Sequence, residues 1–382
     1  MENKHDSATR PNTGAPAGGD RDCNKSPEVV RPQEETAKKK KRRKNKQKKT
    51  FKTEDASSHQ SVAPQHTRDK TTSDQSTQTE AVATQTQDTQ TLPLQCTHTK
   101  ETESKSTQTV RTHLTLKQVY EGQAPDQIQD PNHLTVLTWN IDGLDDEDIK
   151  DRVRSLVKYL AKCRADVILM QELIADYLKV LQNAISDYEI LPGSEIGYFT
   201  GIFLRKSRVE LLESSIVKFP TTEMMRNLLM ATVNFSGHQL CLMTSHLESL
   251  KTGSQERLNQ LRRVWKRMKE VPDGQTVIFG GDTNLRDWEV QKLGGLPDGI
   301  TDVWEMLGKP EDCMYTWDTV TNNNKEIPVP ARLRFDRVYL RTAKEGAQLH
   351  PDSMTLVGLE KLKCGRFTSD HWGLFCTFSF QS

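Results

Sequence analysis

Paired cysteines are missing from this chain. Its seven cysteines, Cys23, Cys96, Cys163, Cys241, Cys313, Cys364 and Cys376, are an odd number and include no CxxC pair. That argues against a disulfide framework or a thiolate zinc cluster and fits a reducing compartment. Aromatic residues are nearly absent from the first third: Phe51 is the only one before residue 116, and all six tryptophans lie at or after Trp139. A segment so poor in large apolar side chains cannot bury enough surface to offset its ordering entropy. Residues 1–115 are therefore expected to be a disordered basic and Thr/Gln-rich tail, and residues 116–382 one large domain. Long apolar runs are absent too. None reaches the roughly eighteen residues that span a bilayer, and the polar start Met1–Asp6 has no signal-peptide core. No membrane association is expected.

Net charge is close to zero, at +1, but it is unevenly divided. Residues 1–115 carry 21 Lys and Arg against 15 Asp and Glu, and the remainder carries 32 against 37. The second part is not globally basic, so nucleic-acid contact there must come from a local patch. Lys38–Lys49 reads KKKKRRKNKQKK. Such a run serves as a nuclear localisation signal, as a nucleic-acid-binding arm or as a solvated charge block. A nuclear location, with a cytoplasmic pool, is the expectation. Thr-Gln-Thr occurs four times, starting at Thr77, Thr84, Thr89 and Thr107. The repeats read as low-complexity linker, as Thr-Gln sites for DNA-damage kinases, or as strand-adding motifs for dynein light chain, Lys105–Thr109 most of all.

From Leu134 the texture changes. Short apolar runs end in polar clusters: Leu134–Trp139 at Asn140, Asp166–Met170 at Gln171-Glu172, Leu240–Ser245 at His246, and Thr276–Phe279 at Gly280–Asn284. Runs of four to six β-formers read as buried strands, and site residues gather at sheet rims. Ile149, Val153, Leu156, Val157 and Leu160, and likewise Leu258, Leu261, Val264, Trp265 and Met268, follow helical spacing. Leu333–Leu340 and Trp372–Phe380 read as strands. The mixture predicts α/β layers.

The rim set is Asn140, Asp142, Glu172, His246, Glu248, Asp282, Asn284, Asp370 and His371. It holds oxygen and imidazole groups without a thiolate, which favours magnesium or manganese over zinc. Histidines and amides beside such a cation can donate to an oxyanion. Together they point to metal-assisted phosphoester hydrolysis. Singly, each has a plainer reading as a turn residue or a backbone-bonded histidine. Recurrence at several strand ends carries the inference.

Trp139-Asn140, Leu169–Glu172, Thr244–Leu247, Gly281–Asn284 and Ser369–His371 fall in the order seen in the endonuclease/exonuclease/phosphatase superfamily, which the chain resembles from about Leu134 onward. Thr138–Leu144, Gly197–Phe199, Met224–Leu228, Gly280–Arg286, Tyr315–Asp318 and Cys364–His371 resemble its branch that removes tyrosine from DNA 5′ ends. The resemblance implies a four-layer sandwich of two packed mixed β-sheets flanked by helices. It implies hydrolysis of the 5′-phosphotyrosyl bond that trapped topoisomerase II leaves on DNA, giving a 5′-phosphate, with Mg2+ or Mn2+ as its substitute. By the same resemblance, Glu172 holds the metal with Asp142 beside it, and Asn140 holds phosphate and metal shell. Asp282, oriented by Asn284, is the base, and His246 and His371 donate to the phosphoryl oxygens. Asp370 positions His371 or the metal shell. DNA contacts fall to Arg286, Lys251, Ser249 and Arg226, with Tyr198, Trp317 and Phe335 as stacking or wedge surfaces. Abasic-site endonucleases and deadenylases share the metal motif. The Asn140–Leu144 and Asn284–Arg286 extensions favour the tyrosyl branch, and the intact Asn140, Glu172, Asp282 and His371 argue against a silent scaffold.

Overall fold

The computed structural model describes residues 115–122 and 130–381. The basic run and the Thr-Gln-Thr repeats lie outside them. After a helical segment over residues 115–121 (α1) come β1 (His133–Asn140), α2 (Ile149–Cys163), β2 (Val167–Ile174), α3 (Ala175–Ala184), β3 (Tyr188–Pro192), β4 (Tyr198–Arg205), β5 (Val209–Lys218), β6 (Asn227–Phe235), β7 (His238–Ser245), α4 (Ser254–Glu270) and β8 (Thr276–Asp282). Then follow α5 (Asp287–Lys292), β9 (Thr301–Asp302), α6 (Val303–Met306), β10 (Trp317–Asp318), β11 (Arg332–Leu333), β12 (Asp336–Arg341), β13 (Gln348–Val357) and β14 (Gly373–Gln381). One six-stranded sheet has the order β13-β14-β1-β2-β4-β3 and the other β5-β6-β7-β8-β12-β9.

Each sheet contains one parallel pair, β1 with β2 and β7 with β8. Parallel neighbours need a crossover, supplied by α2 and α4. Alternation along the strands sorts side chains between two layers. Leu134 and Val136 of β1 pack between the sheets with Leu240, Leu242 and Ile278, while Leu137 and Trp139 meet Leu156 and Leu160 of α2. Cys241, Met243, Val277 and Phe279 turn the other way onto Leu258, Leu261, Val264 and Met268 of α4. Each fully buried Leu, Val or Phe contributes about 1.5–3 kcal/mol. The layering is helix, sheet, sheet, helix, the sandwich expected. Among the described residues no helix is long and apolar enough to cross a membrane.

The sheets approach closely at Gly280. A Cβ there would stand 2.7 Å from Leu169 Cδ1 and 3.3 Å from Thr138 Cβ. Beside it Gln171 Nε2 donates to Thr138 Oγ1 (3.2 Å) and across to Thr244 Oγ1 (3.1 Å). One expectation is corrected: Leu333–Leu340 is not a single strand. Thr316 Oγ1 accepts from Phe335 N and Asp336 N, which interrupts the ladder between β11 and β12. Strands β3 to β6 and β13 were not anticipated. Strands β3, β6 and β13 are half-exposed or polar along one face and β5 is largely exposed, whereas β4 is buried but has Thr200 and Gly201 breaking its apolar run.

Candidate active site

The parallel pairs place their C-terminal ends at one rim. Asn140 ends β1 with the parity of Leu134 and Val136, so its amide faces the opposite sheet. Asp282 ends β8 with the parity of Ile278 and Gly280, and faces back. Glu172 gets there differently. The register between β2 and β4 shifts between Met170 and Leu173, and Glu172 has φ +58°. The bulge moves Leu173 to the helix side with Ile168 and Met170 and frees Glu172 to turn into the rim. Bulges re-aim side chains in this way beside active sites.

The groups converge on Asp282. Asn140 Nδ2 donates to Asp282 Oδ2 (3.0 Å) and to Glu172 Oε1 (3.1 Å). His246 Nε2 lies 3.2 Å from Asp282 Oδ2, and His371 Nε2 lies 3.8 Å from the same atom. Asp282 Oδ1 accepts from Asn284 N at 2.9 Å. The Asn284 amide turns away, toward the Leu247 carbonyl (3.3 Å) and Ser249 Oγ (3.4 Å). Asn284 therefore orients Asp282 through its backbone. His371 Nδ1 lies 2.8 Å from the fully buried Asp336 Oδ2.

The two histidines differ in charge. Burial, then Arg226 and His371, hold the His246 pKa well below its ordinary value, so it is neutral. Burial opposes charge on His371 as well, but Asp336, Asp370 and Asp282 outweigh it and hold an imidazolium. Burial, with Asp336 adding, raises the Asp282 carboxyl against the pull of His371 and Asn140. Burial, then Asp370 and Asp142, push Glu172 up to about 7. The rim thus holds carboxylates in mutual repulsion beside one fixed imidazolium.

Comparison with known proteins matches this arrangement. The endonuclease/exonuclease/phosphatase family model covers residues 137–371. The chain belongs to that family. Within it, the chain is 55% identical to tyrosyl-DNA phosphodiesterase 2 of Danio rerio over 262 residues, 69% of this chain and 71% of that protein. It is 54% identical to the Homo sapiens protein of the same name over 250 residues, 65% of this chain and 69% of that one. The crystal structure of the D. rerio protein complexed with single-strand DNA product superposes with a TM-score of 0.64 at 57% identity, covering 65% of this chain and 99% of that one.

Divalent-metal dependence goes with this family, and the donor set at the rim fits it. Glu172 offers a carboxylate among Asn140, Asp142 and Asp370, with hard oxygen ligands throughout. A cation there would reverse the repulsion that raises its pKa. Asp282, Asp336 and His371 also offer ligand atoms within 4.8 Å of one another. In that trio, however, His371 is already bonded to Asp336. Asp142 is tied to Lys325 Nζ at 2.8 Å and lies 3.5 Å from Arg152, so it supports the metal side from behind.

Other expected residues separate into rim and floor. Arg226 is buried, with its guanidinium 4.7 Å over the Tyr198 ring and Nη2 3.1 Å from Ser249 Oγ. Tyr198 also packs edge-on against His246. Arg286 lies 5.0 Å over the Phe335 ring. Phe335 is itself buried beneath Trp317 and Arg286, so it is a floor and not the exposed wedge expected. Lys251 is exposed in the turn that precedes α4. Asp370 Oδ2 accepts from Trp317 Nε1 at 3.2 Å. The carboxylate that holds His371 is Asp336, not its neighbour Asp370. Sequence reasoning missed Asp336 because it opens a strand 35 residues earlier. The charged residues Arg334, Asp336 and Arg337 inside an otherwise apolar segment were the available signal.

Proposed function

We propose that this chain is a DNA-repair phosphodiesterase that hydrolyses 5′-phosphotyrosyl bonds between DNA ends and trapped topoisomerase II, with magnesium as its cofactor. The observation that carries the reading is the convergence of Asn140, His246 and His371 on Asp282, next to Glu172, in a chain so similar to a protein crystallised with DNA product. Asp282, raised toward neutrality, removes a proton from the attacking water. The water oxygen bonds to phosphorus as the bond from phosphorus to the tyrosyl oxygen breaks. The phenolate leaves and takes its proton from solvent. With a pKa of about 10, phenol is a good leaving group, so no strong general acid is needed. His371 as imidazolium and Asn140 as amide donate to the phosphoryl oxygens, where charge builds. Neutral His246 orients Asp282. Magnesium held at Glu172 supplies charge neutralisation at phosphate when bound. Manganese substitutes for it.

Substrate phosphate has a waiting donor, because Arg226 Nε is buried without a partner among the described residues. Arg286, Lys251 and Ser249 extend the polar rim, and Tyr198 and Trp317 present half-exposed rings. Import through Lys38–Lys49 would bring the enzyme to nuclear DNA, and the Thr-Gln-Thr repeats suit dynein light chain as a partner. The test is hydrolysis by the full chain of matched oligonucleotides carrying a 5′-phosphotyrosine, a 3′-phosphotyrosine or an abasic site, with magnesium and with EDTA. Fastest turnover at the 5′ end with magnesium is expected. Preference for the abasic strand would assign the chain to an endonuclease branch of the family.

A further inference from the structure

Glu248 is a buried carboxylate two residues beyond His246, and its role lies outside the reaction just described. Its side chain meets four neutral donors. Oε1 accepts from Glu223 N (2.8 Å) and Met224 N (3.1 Å), and Oε2 accepts from Thr222 Oγ1 (2.9 Å) and Gln260 Nε2 (2.8 Å). That uses all the acceptor sites of a carboxylate. Consecutive backbone N–H groups cupped around an anion form a nest. Here the protein supplies the anion itself. Helix α4 clamps it from behind: Gln260 Oε1 accepts from Glu248 N (2.8 Å), and Arg257 Nη1 donates to the Glu248 carbonyl (2.7 Å).

The cupped turn leads directly to Arg226. Thr222 Oγ1, donating to Glu248, accepts from Arg226 N at 2.9 Å. Between them Met225 is held at φ +56° with its side chain 62% exposed. That backbone is costly for a non-glycine residue and persists only where its surroundings enforce it. Arg226 emerges with Nη2 near Ser249 Oγ (3.1 Å) and His246 Nε2 (3.3 Å), and with Nε unpartnered. We infer that Glu248 is the positioning residue for Arg226: it anchors the 222–225 turn to α4 and so aims the guanidinium at the substrate phosphate. Glu248 itself touches no reacting atom. The inference rests on the phosphodiesterase reading for the direction of the effect on turnover.

A double-mutant cycle tests it. Glu248→Gln places an NH2 group against Thr222 and Gln260, which should release the turn. In the full-length enzyme, kcat/KM on a 5′-phosphotyrosyl oligonucleotide should fall about 10²-fold, the usual cost of misplacing a group by an ångström. In an Arg226→Ala background the same substitution should change kcat/KM less than about 2-fold. Thr222→Val, at a half-exposed site, should give a smaller loss that also vanishes with Arg226→Ala, and it serves if Glu248→Gln folds poorly. An equal fold-loss in both backgrounds, or wild-type kinetics for both variants, overturns the proposal. The Arg226 Hε–Nε resonance of the free protein gives a readout independent of turnover. It should be shifted and sharp in the wild type and move to the solvent-averaged arginine position in Glu248→Gln. A resonance unmoved in the variant overturns the proposal even where the tyrosyl substrate proves wrong. No turnover by the wild type, with the resonance shift observed, overturns the substrate reading alone.

Discussion

Replacing Asp336 by Asn keeps the shape of the group on His371 Nδ1 and removes its charge. The two groups are 2.8 Å apart and both are buried. Two unit charges 4 Å apart at an effective dielectric of 20 interact by about 4 kcal/mol. At about 1.4 kcal/mol per pKa unit, loss of Asp336 should lower the His371 pKa by roughly 3 units. If the imidazolium stabilises the phosphoryl oxygens, turnover near pH 8 should fall by up to about 10³-fold, the whole of those three units. The sign with pH is fixed by the same argument. In the wild type His371 stays protonated, because its pKa is raised well above the ordinary value. In the variant it deprotonates earlier, so the deficit should be largest at pH 8 and shrink as pH falls to 6. Asp336 also pushes the Asp282 carboxyl up, so its loss eases deprotonation of the base at the acid end and shrinks the deficit there in the same direction. The assay is kcat for a 5′-phosphotyrosyl oligonucleotide from pH 6 to 8.5, reported as the wild-type to variant ratio. A ratio that does not change over that range, or a variant as active as wild type at pH 8, refutes the charge argument.

Three further outcomes are expected. Glu172→Gln should abolish magnesium-dependent turnover yet raise Tm in EDTA at pH 8 by roughly 2–6 °C. Its carboxyl is raised to about 7, so the cost to folding builds up from the ordinary carboxylate range to about pH 7 and is full above it, and the gain should disappear near pH 4; calorimetry at pH 4 and pH 8 checks it. Gly280→Ala should destabilise the domain by about 1–3 kcal/mol in urea and lower activity, because the new Cβ meets Leu169 and Thr138. Neutralising Lys38–Lys44 should move the full chain to the cytoplasm without altering hydrolysis in vitro, checked by imaging and by assay of the same variant; unchanged nuclear accumulation would leave the run a solvated arm.

The residues at the site were legible because they sit in runs. Asn140, His246 and Asp282 each follow an apolar strand, and those strands formed as read. The helical spacing at Val153–Leu160 and at Leu258–Met268 became the buried faces of α2 and α4. Local chemistry suffices there: alternation and 3.6-residue periodicity are properties of neighbouring positions. Strands β3 to β6 and β13 carried weaker patterns: they pair with a strand adjacent along the chain, but their sequences do not show a clean two-residue alternation or an unbroken apolar run.

Chain order and residue type by themselves determined the α/β class, the hard-ligand rim and the family resemblance. Tertiary structure alone decided the rest. Which carboxylate holds His371 depends on β12 pairing with β8 so that Asp336 stands opposite Asp282. Whether Phe335 is wedge or floor depends on Arg286 and Trp317 closing over it. The charge of each histidine depends on burial and on the ions around it: burial, with Arg226 and His371, keeps His246 neutral although Asp282 lies 3.2 Å away, whereas Asp336, Asp370 and Asp282 together outweigh burial at His371 and hold it charged. A sequence names the titratable groups. Only packing sets the distances and the local dielectric, and electrostatic energy depends on both.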